Sequence, residues 1–123
     1  MTRMRLGEIA YARSGDKGSS ANVGVLAYGR AGYGFLYHAL TAPVVEGYFA
    51  PMGTHAVVRF ELPNLQAFNF LLPGILAGGG SRSLRVDAQG KTLGQVLLEI
   101  ELDIPDDVLE EARLAREAAF ADV

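Results

Sequence analysis

Two glycine-rich segments carry the residue types from which an anion site can be built. The first is Arg13-Ser14-Gly15-Asp16-Lys17-Gly18, continued by Ser19-Ser20-Ala21-Asn22. Its glycines let backbone amides turn into one concavity, its serines donate hydroxyls, and Arg13 and Lys17 add charge suited to a phosphate or carboxylate. A polar hairpin turn requires the same residue types, so both readings stand. The second segment is Gly78-Gly79-Gly80-Ser81-Arg82-Ser83-Leu84-Arg85. Three consecutive glycines cost backbone entropy in any fold, which points to positive φ or to a backbone that something approaches closely. Arg82 and Arg85 add bidentate reach for an anion, while a plain connector accounts for the same residues. If both segments lie at one end of a sheet, Arg13, Lys17, Arg82 and Arg85 converge on one cationic pocket.

Other polar residues offer less. Asn64 and Asn69 are amides among apolar neighbours, where they either bond backbone groups or orient a substrate. His38 and His55 fall in different elements and lack an i, i+4 partner, so no metal site is expected. Gly90-Lys91-Thr92 resembles the end of a phosphate-binding Walker loop, but that motif needs glycine where Arg85 stands. With no cysteine in the chain, disulfides, thiolate catalysis and iron–sulfur clusters are excluded.

The chain has 123 residues, half of them hydrophobic and a fifth charged, which suits one folded domain over residues 1–123. Its net charge of −3 argues against a nucleic-acid partner. That value combines a cationic body (nine basic and five acidic residues through 98) with an acidic end (two basic and nine acidic residues from 99 onward). The acidic end is expected to be solvated surface or a docking face. The first residues lack the apolar stretch of a signal peptide, so a cytoplasmic location is expected. Residues 62–81 carry no charge, but two prolines, several amides and three consecutive glycines make them a poor membrane span.

The elements that must position these residues follow from periodicity. Strands are expected at 6–13, 22–28 and 55–62, with 14–20 as the loop joining the first two. On the third strand Arg59 alternates with Glu61. Helices are expected from 32 to 40 and, starting at Pro43, to about 49. A short helix around Phe68, Leu71 and Leu72 fits part of 65–77. Segments 83–86 and 92–104 suggest a hairpin across a turn-rich spacer. Pro105, Asp106 and Asp107 open an alanine-rich helix reaching about 120, whose stripe of Val108, Ala112, Ala115 and Ala119 packs on the sheet or on a partner. This order favours an α+β fold, a ferredoxin-like sandwich with a mainly antiparallel sheet, helices on one face and a C-terminal helix.

Three segments together carry a family resemblance: 6–18 with Ala21-Asn22-Val23-Gly24-Val25; Phe60-Glu61-Leu62-Pro63-Asn64-Leu65 with Asn69-Phe70; and Gly78-Gly79-Gly80 with Ser83-Leu84-Arg85, Asp87 and Gln89-Gly90-Lys91. Over about 6–102 the chain resembles the small ferredoxin-fold domain of the acyclic terpene utilisation (AtuA-like) proteins, in the form that stands beside a large subunit. The resemblance implies a ferredoxin-like topology without a cluster and a place in bacterial catabolism of branched or terpenoid acids. It carries over no catalytic residue. The leading expectation is a small, assisting subunit that binds a large AtuA-like protein and an anionic substrate, with a CoA thioester entering as substrate and not as cofactor. The second is a homo-oligomeric enzyme for a small carboxylate or CoA ester, using Asp16 or a histidine as acid–base group. A structural oligomer without ligand is the third.

Overall fold

The computed structural model describes residues 1–75 and 93–121. Gly78 to Arg85, and with them the expected hairpin arm at 83–86 and its spacer, lie outside the described residues. In chain order the elements are β1 (Thr2–Arg5), a 3-10 turn (Leu6–Glu8), β2 (Ala10–Lys17), β3 (Ser20–Ala27), α1 (Arg30–Ala39) and α2 (Ala42–Phe49). After a 3-10 turn at Ala50–Met52 come β4 (Val58–Leu62), a third 3-10 turn (Pro63–Leu65), β5 (Ala67–Leu72), α3 (Leu93–Leu97), β6 (Glu101–Ile104) and α4 (Asp106–Ala121). The fold is α+β and ferredoxin-like, with helices layered on one face of an antiparallel sheet.

The main sheet has the order β2-β3-β5-β4, with every neighbouring pair antiparallel. β1 and β6 form a separate two-stranded ribbon. Alternation decides what the main sheet buries. Ala21, Val23 and Val25 on β3 stand opposite Leu72, Phe70 and Phe68 on β5, and all six are fully buried against the helices. With Leu6, Ile9, Leu36, Leu40, Val45, Phe49, Leu97 and Ile104 they form one core.

The helices are fixed at their ends. Thr41 caps α2 by accepting the Val44 N–H at 3.4 Å, with Pro43 in the first turn as expected. The N-terminus of α1 is capped from across the molecule: Glu111 on α4 accepts the Ala31 N–H at 2.7 Å. A carboxylate there satisfies an orphan amide and opposes the helix dipole. Gly29, at φ +94°, lets the chain turn beneath that carboxylate, and Ala112 on the same helix is fully buried. No described helix is long and apolar enough to cross a membrane.

Three expectations about elements are corrected. The segment 14–20 is not a loop: β2 runs to Lys17, β3 starts at Ser20, and only Gly18 and Ser19 turn. Gly18 takes φ +64°, which makes so tight a turn accessible and draws the flanking residues into the ladder. The expected helix around Phe68, Leu71 and Leu72 is strand β5, sandwiched between β3 and β4, because the two-residue spacing of Phe68, Phe70 and Leu72 matches the buried face. The segment 92–104 is not one strand. Its first part forms α3, burying Leu93 and Leu97 four residues apart, and its last part pairs with β1.

Candidate functional site

Pleating sorts the first glycine segment onto two sides of the sheet. Ser14 and Asp16 stand opposite Val23 and Ala21 on the helix side, whereas Arg13 and Gly15 stand opposite Gly24 and Asn22 on the outer side. The Ser14 Oγ accepts the Gly94 N–H at 3.2 Å, which holds the start of α3 against β2. A Cβ on Gly94 would lie 3.1 Å from the Ala12 Cβ, so the absence of a side chain is what admits this approach. Asp16 is exposed. Of the expected anion-site residues, Arg13 is an exposed cation placed by its register on the open face, and Lys17 pairs with Ser20 at the end of β2.

That face is the candidate site. Its centre is an amide pair: the Asn22 Nδ2 donates to the Asn69 Oδ1 at 3.5 Å. Gly15 leaves room for this arrangement, since a Cβ there would meet the Asn22 Oδ1 at 2.8 Å. Arg13 and Tyr11 stand along one edge of the sheet, while Val58, Phe60 and Leu62 stand along the other. Phe60 is 52% exposed, more than a core phenylalanine would ever be. No acidic residue occupies this side of the four strands among the described residues.

The helix side of β4 explains the exposure. Arg59 points inward, where its Nη1 donates to the carbonyl oxygens of Tyr37 and Leu40 at 2.9 and 3.0 Å, capping the C-terminal end of α1. Its Nη2 pairs with the Glu61 Oε2 at 2.7 Å, and the guanidinium lies 4.9 Å from the Phe68 ring centroid and 5.1 Å from that of Tyr37. With the charged positions turned to the helices, the apolar positions must face out. Periodicity reveals the alternation of β4 but not its direction, so it does not mark Val58, Phe60 and Leu62 as surface.

The remaining candidates lie elsewhere. Asn64 is exposed in the 3-10 turn between β4 and β5, away from Asn69 in the strand. His38 is exposed, edge-on to the Tyr37 ring at 5.2 Å, and His55 is exposed before β4. Among the described residues no three histidines, cysteines or carboxylates group closely enough to hold a metal ion. Acidic residues at the C-terminal end are largely engaged: Arg3 pairs with Asp103 at 3.4 Å and Arg5 with Glu99 at 3.3 Å across the ribbon. On α4, Arg113 bonds Glu110 at 2.6 Å and holds its carboxyl below the ordinary value. Burial, helped by Glu99, pushes the Tyr48 phenol up, while its hydroxyl donates to the Val96 carbonyl at 2.9 Å.

No curated protein and no solved structure matches the chain. Residues 4–103 match the AtuA ferredoxin-like domain, a span that takes in the whole main sheet and part of the β1–β6 ribbon and ends before α4. Since that match covers most of the sequence and the observed fold agrees with it, the chain belongs to the AtuA ferredoxin-like domain family.

Proposed function

We propose that this protein is the small, assisting partner of a large AtuA-like protein in bacterial catabolism of branched or terpenoid acids, and that it presents a cationic surface to an anionic substrate such as a carboxylate or acyl-CoA. The observation that carries the reading is the family match over 4–103, joined to a sheet face whose described residues include Arg13 but no acid. A carboxylate or phosphate meets no like charge there, and Asn22 and Asn69 offer amide groups to orient it.

The remaining surfaces suit a supporting role. The carboxylates toward the C-terminal end largely hold a helix end or arginines, as Glu111 does for α1 and Glu99 for Arg5. Co-expression with a large AtuA-like protein, followed by size-exclusion chromatography, is expected to give one stoichiometric complex. Separate elution at micromolar concentrations would overturn the assisting role. For the anion, a CoA ester at a concentration well above its Kd is expected to raise the melting temperature, because a ligand specific to the folded state stabilises it. Arg13→Ala should abolish that rise.

A further inference from the structure

We infer that the outer face of the main sheet is a self-complementary interface that seats a second copy of this chain, face to face about a two-fold axis parallel to the strands. The inference is read from the chain alone and does not depend on the large partner. It starts from β4, whose charged residues are turned inward and whose Val58, Phe60 and Leu62 are 42%, 52% and 40% exposed. With Tyr11 at 38% on the opposite edge, most of the large exposed apolar side chains of the sheet stand on this one face. Grouped apolar exposure of this kind marks a surface that is covered in the working state.

The strand register says what covers it. Across the face, one row reads Arg13, Gly24, Asn69, Phe60; the next reads Gly15, Asn22, Leu71, Val58; on the other side lies Tyr11, Leu26, Ala67, Leu62. A two-fold axis running between β3 and β5 lays each row on its own reverse. Arg13 then lies over the second copy's Phe60, a cation on an aromatic face, at both ends of the row. Gly24 meets Asn69, Gly15 meets Val58 and Ala67 meets Leu26, so a small residue opposes a larger one once in each row, while Tyr11 meets Leu62 in apolar contact and Asn22 meets Leu71. The two Arg13 side chains stand on opposite edges, roughly 14 Å apart at three strand spacings, and do not repel appreciably at physiological salt.

Size sets the strength. Four strands about 4.8 Å apart and six residues long present roughly 400 Å² of flat face per copy, about 800 Å² for the pair, which is below a standard specific interface and in the range of weak, transient ones. A weak dimer in rapid exchange with the monomer is therefore expected. This packing leaves the helix layer and α4 free for the large partner, but it covers Arg13, Asn22 and Asn69, so the second copy and an anionic substrate exclude each other on this face.

Sedimentation equilibrium of the full chain tests the assignment. The wild type should show a monomer–dimer equilibrium, and Phe60→Lys, which sets a cation against Arg13 at both ends, should weaken it about tenfold or more. Adding Arg13→Glu to Phe60→Lys should restore it, because each end then pairs an anion with a cation. Circular dichroism should be unchanged throughout, since both positions are solvent-facing. A wild type that stays monomeric, or a dimer indifferent to Phe60→Lys, overturns the inference. Weakening without rescue by Arg13→Glu overturns the row-on-row placement.

Discussion

The two faces of the main sheet share four strands and differ in almost everything else. Toward the helices, Val23, Val25, Phe68 and Phe70 are fully buried; away from them, Phe60 is half exposed and two amides bond to each other. Alternating side chains make this division available in any strand, yet β4 uses it in reverse, with Arg59 inward and Phe60 outward. The inner face is committed to holding the fold. The outer face contributes little to it and is available for recognition, where apolar and cationic groups gain most once water is removed.

The sharpest way to break this comparison is to truncate one phenylalanine on each face. Phe70→Ala empties a fully buried site between β3 and β4 and should cost about 3–5 kcal/mol in urea unfolding. Phe60→Ala, on the neighbouring strand, should change monomer stability by less than about 0.5 kcal/mol. Comparable losses at both positions would mean that the outer face also holds the fold.

Arg59 tests whether the inward charge on β4 is structural. Arg59→Met keeps much of the stem's packing on Phe68 but uncaps the Tyr37 and Leu40 carbonyls and strands Glu61. A loss of about 2 kcal/mol is expected, appropriate to hydrogen bonds made by a charged donor. Arg59→Lys should recover only part of it, since one ammonium lacks the fork that reaches two carbonyls and a carboxylate together.

These residues also mark what the sequence discloses. Helix α4 was legible because its signals are local: Pro105, two aspartates and an alanine-rich run sit in consecutive positions. Strand β5 was not, because Phe68, Leu71 and Leu72 also fit a helical spacing, and only pairing on both sides selects the two-residue period. The first glycine segment was legible as a hairpin but not as two faces, since one tight turn at Gly18 decides how its side chains are shared out. Asn22 and Asn69 are 47 residues apart in sequence, and nothing short of the register brings them together. Direction on β4 depended on α1, whose carbonyls Arg59 must reach.

A smaller effect probes the helix layer behind the inner face. Tyr48→Phe removes the hydrogen bond to the Val96 carbonyl and should cost about 1 kcal/mol at neutral pH. Because the folded phenol titrates above its ordinary 10.0, the folded state holds its proton longer than the unfolded state does. The contribution is therefore complete below pH 10.0 and is lost as pH rises through the folded value. Unfolding free energies of wild type and Tyr48→Phe, measured at neutral pH and again above 10, should converge. Parallel curves would show that the phenol is not held neutral by its surroundings.

The smallest effects are expected at the centre of the outer face, and their coupling is more telling than their size. Asn22→Ala gives up one long, partly solvated amide bond to Asn69 and should cost less than about 0.5 kcal/mol. Gly15→Ala has two opposed consequences: alanine is favoured over glycine in a strand, but its Cβ would fall 2.8 Å from the Asn22 Oδ1 and push that amide aside. The net change in the single variant should lie near zero. In the Asn22→Ala background the obstruction is gone, so the same Gly15→Ala substitution should stabilise the monomer, and the double-mutant cycle should show a coupling of about 0.5 kcal/mol or more. Strict additivity would mean that Gly15 and Asn22 do not share space. The open face would then lack the one built contact that keeps its amides facing outward.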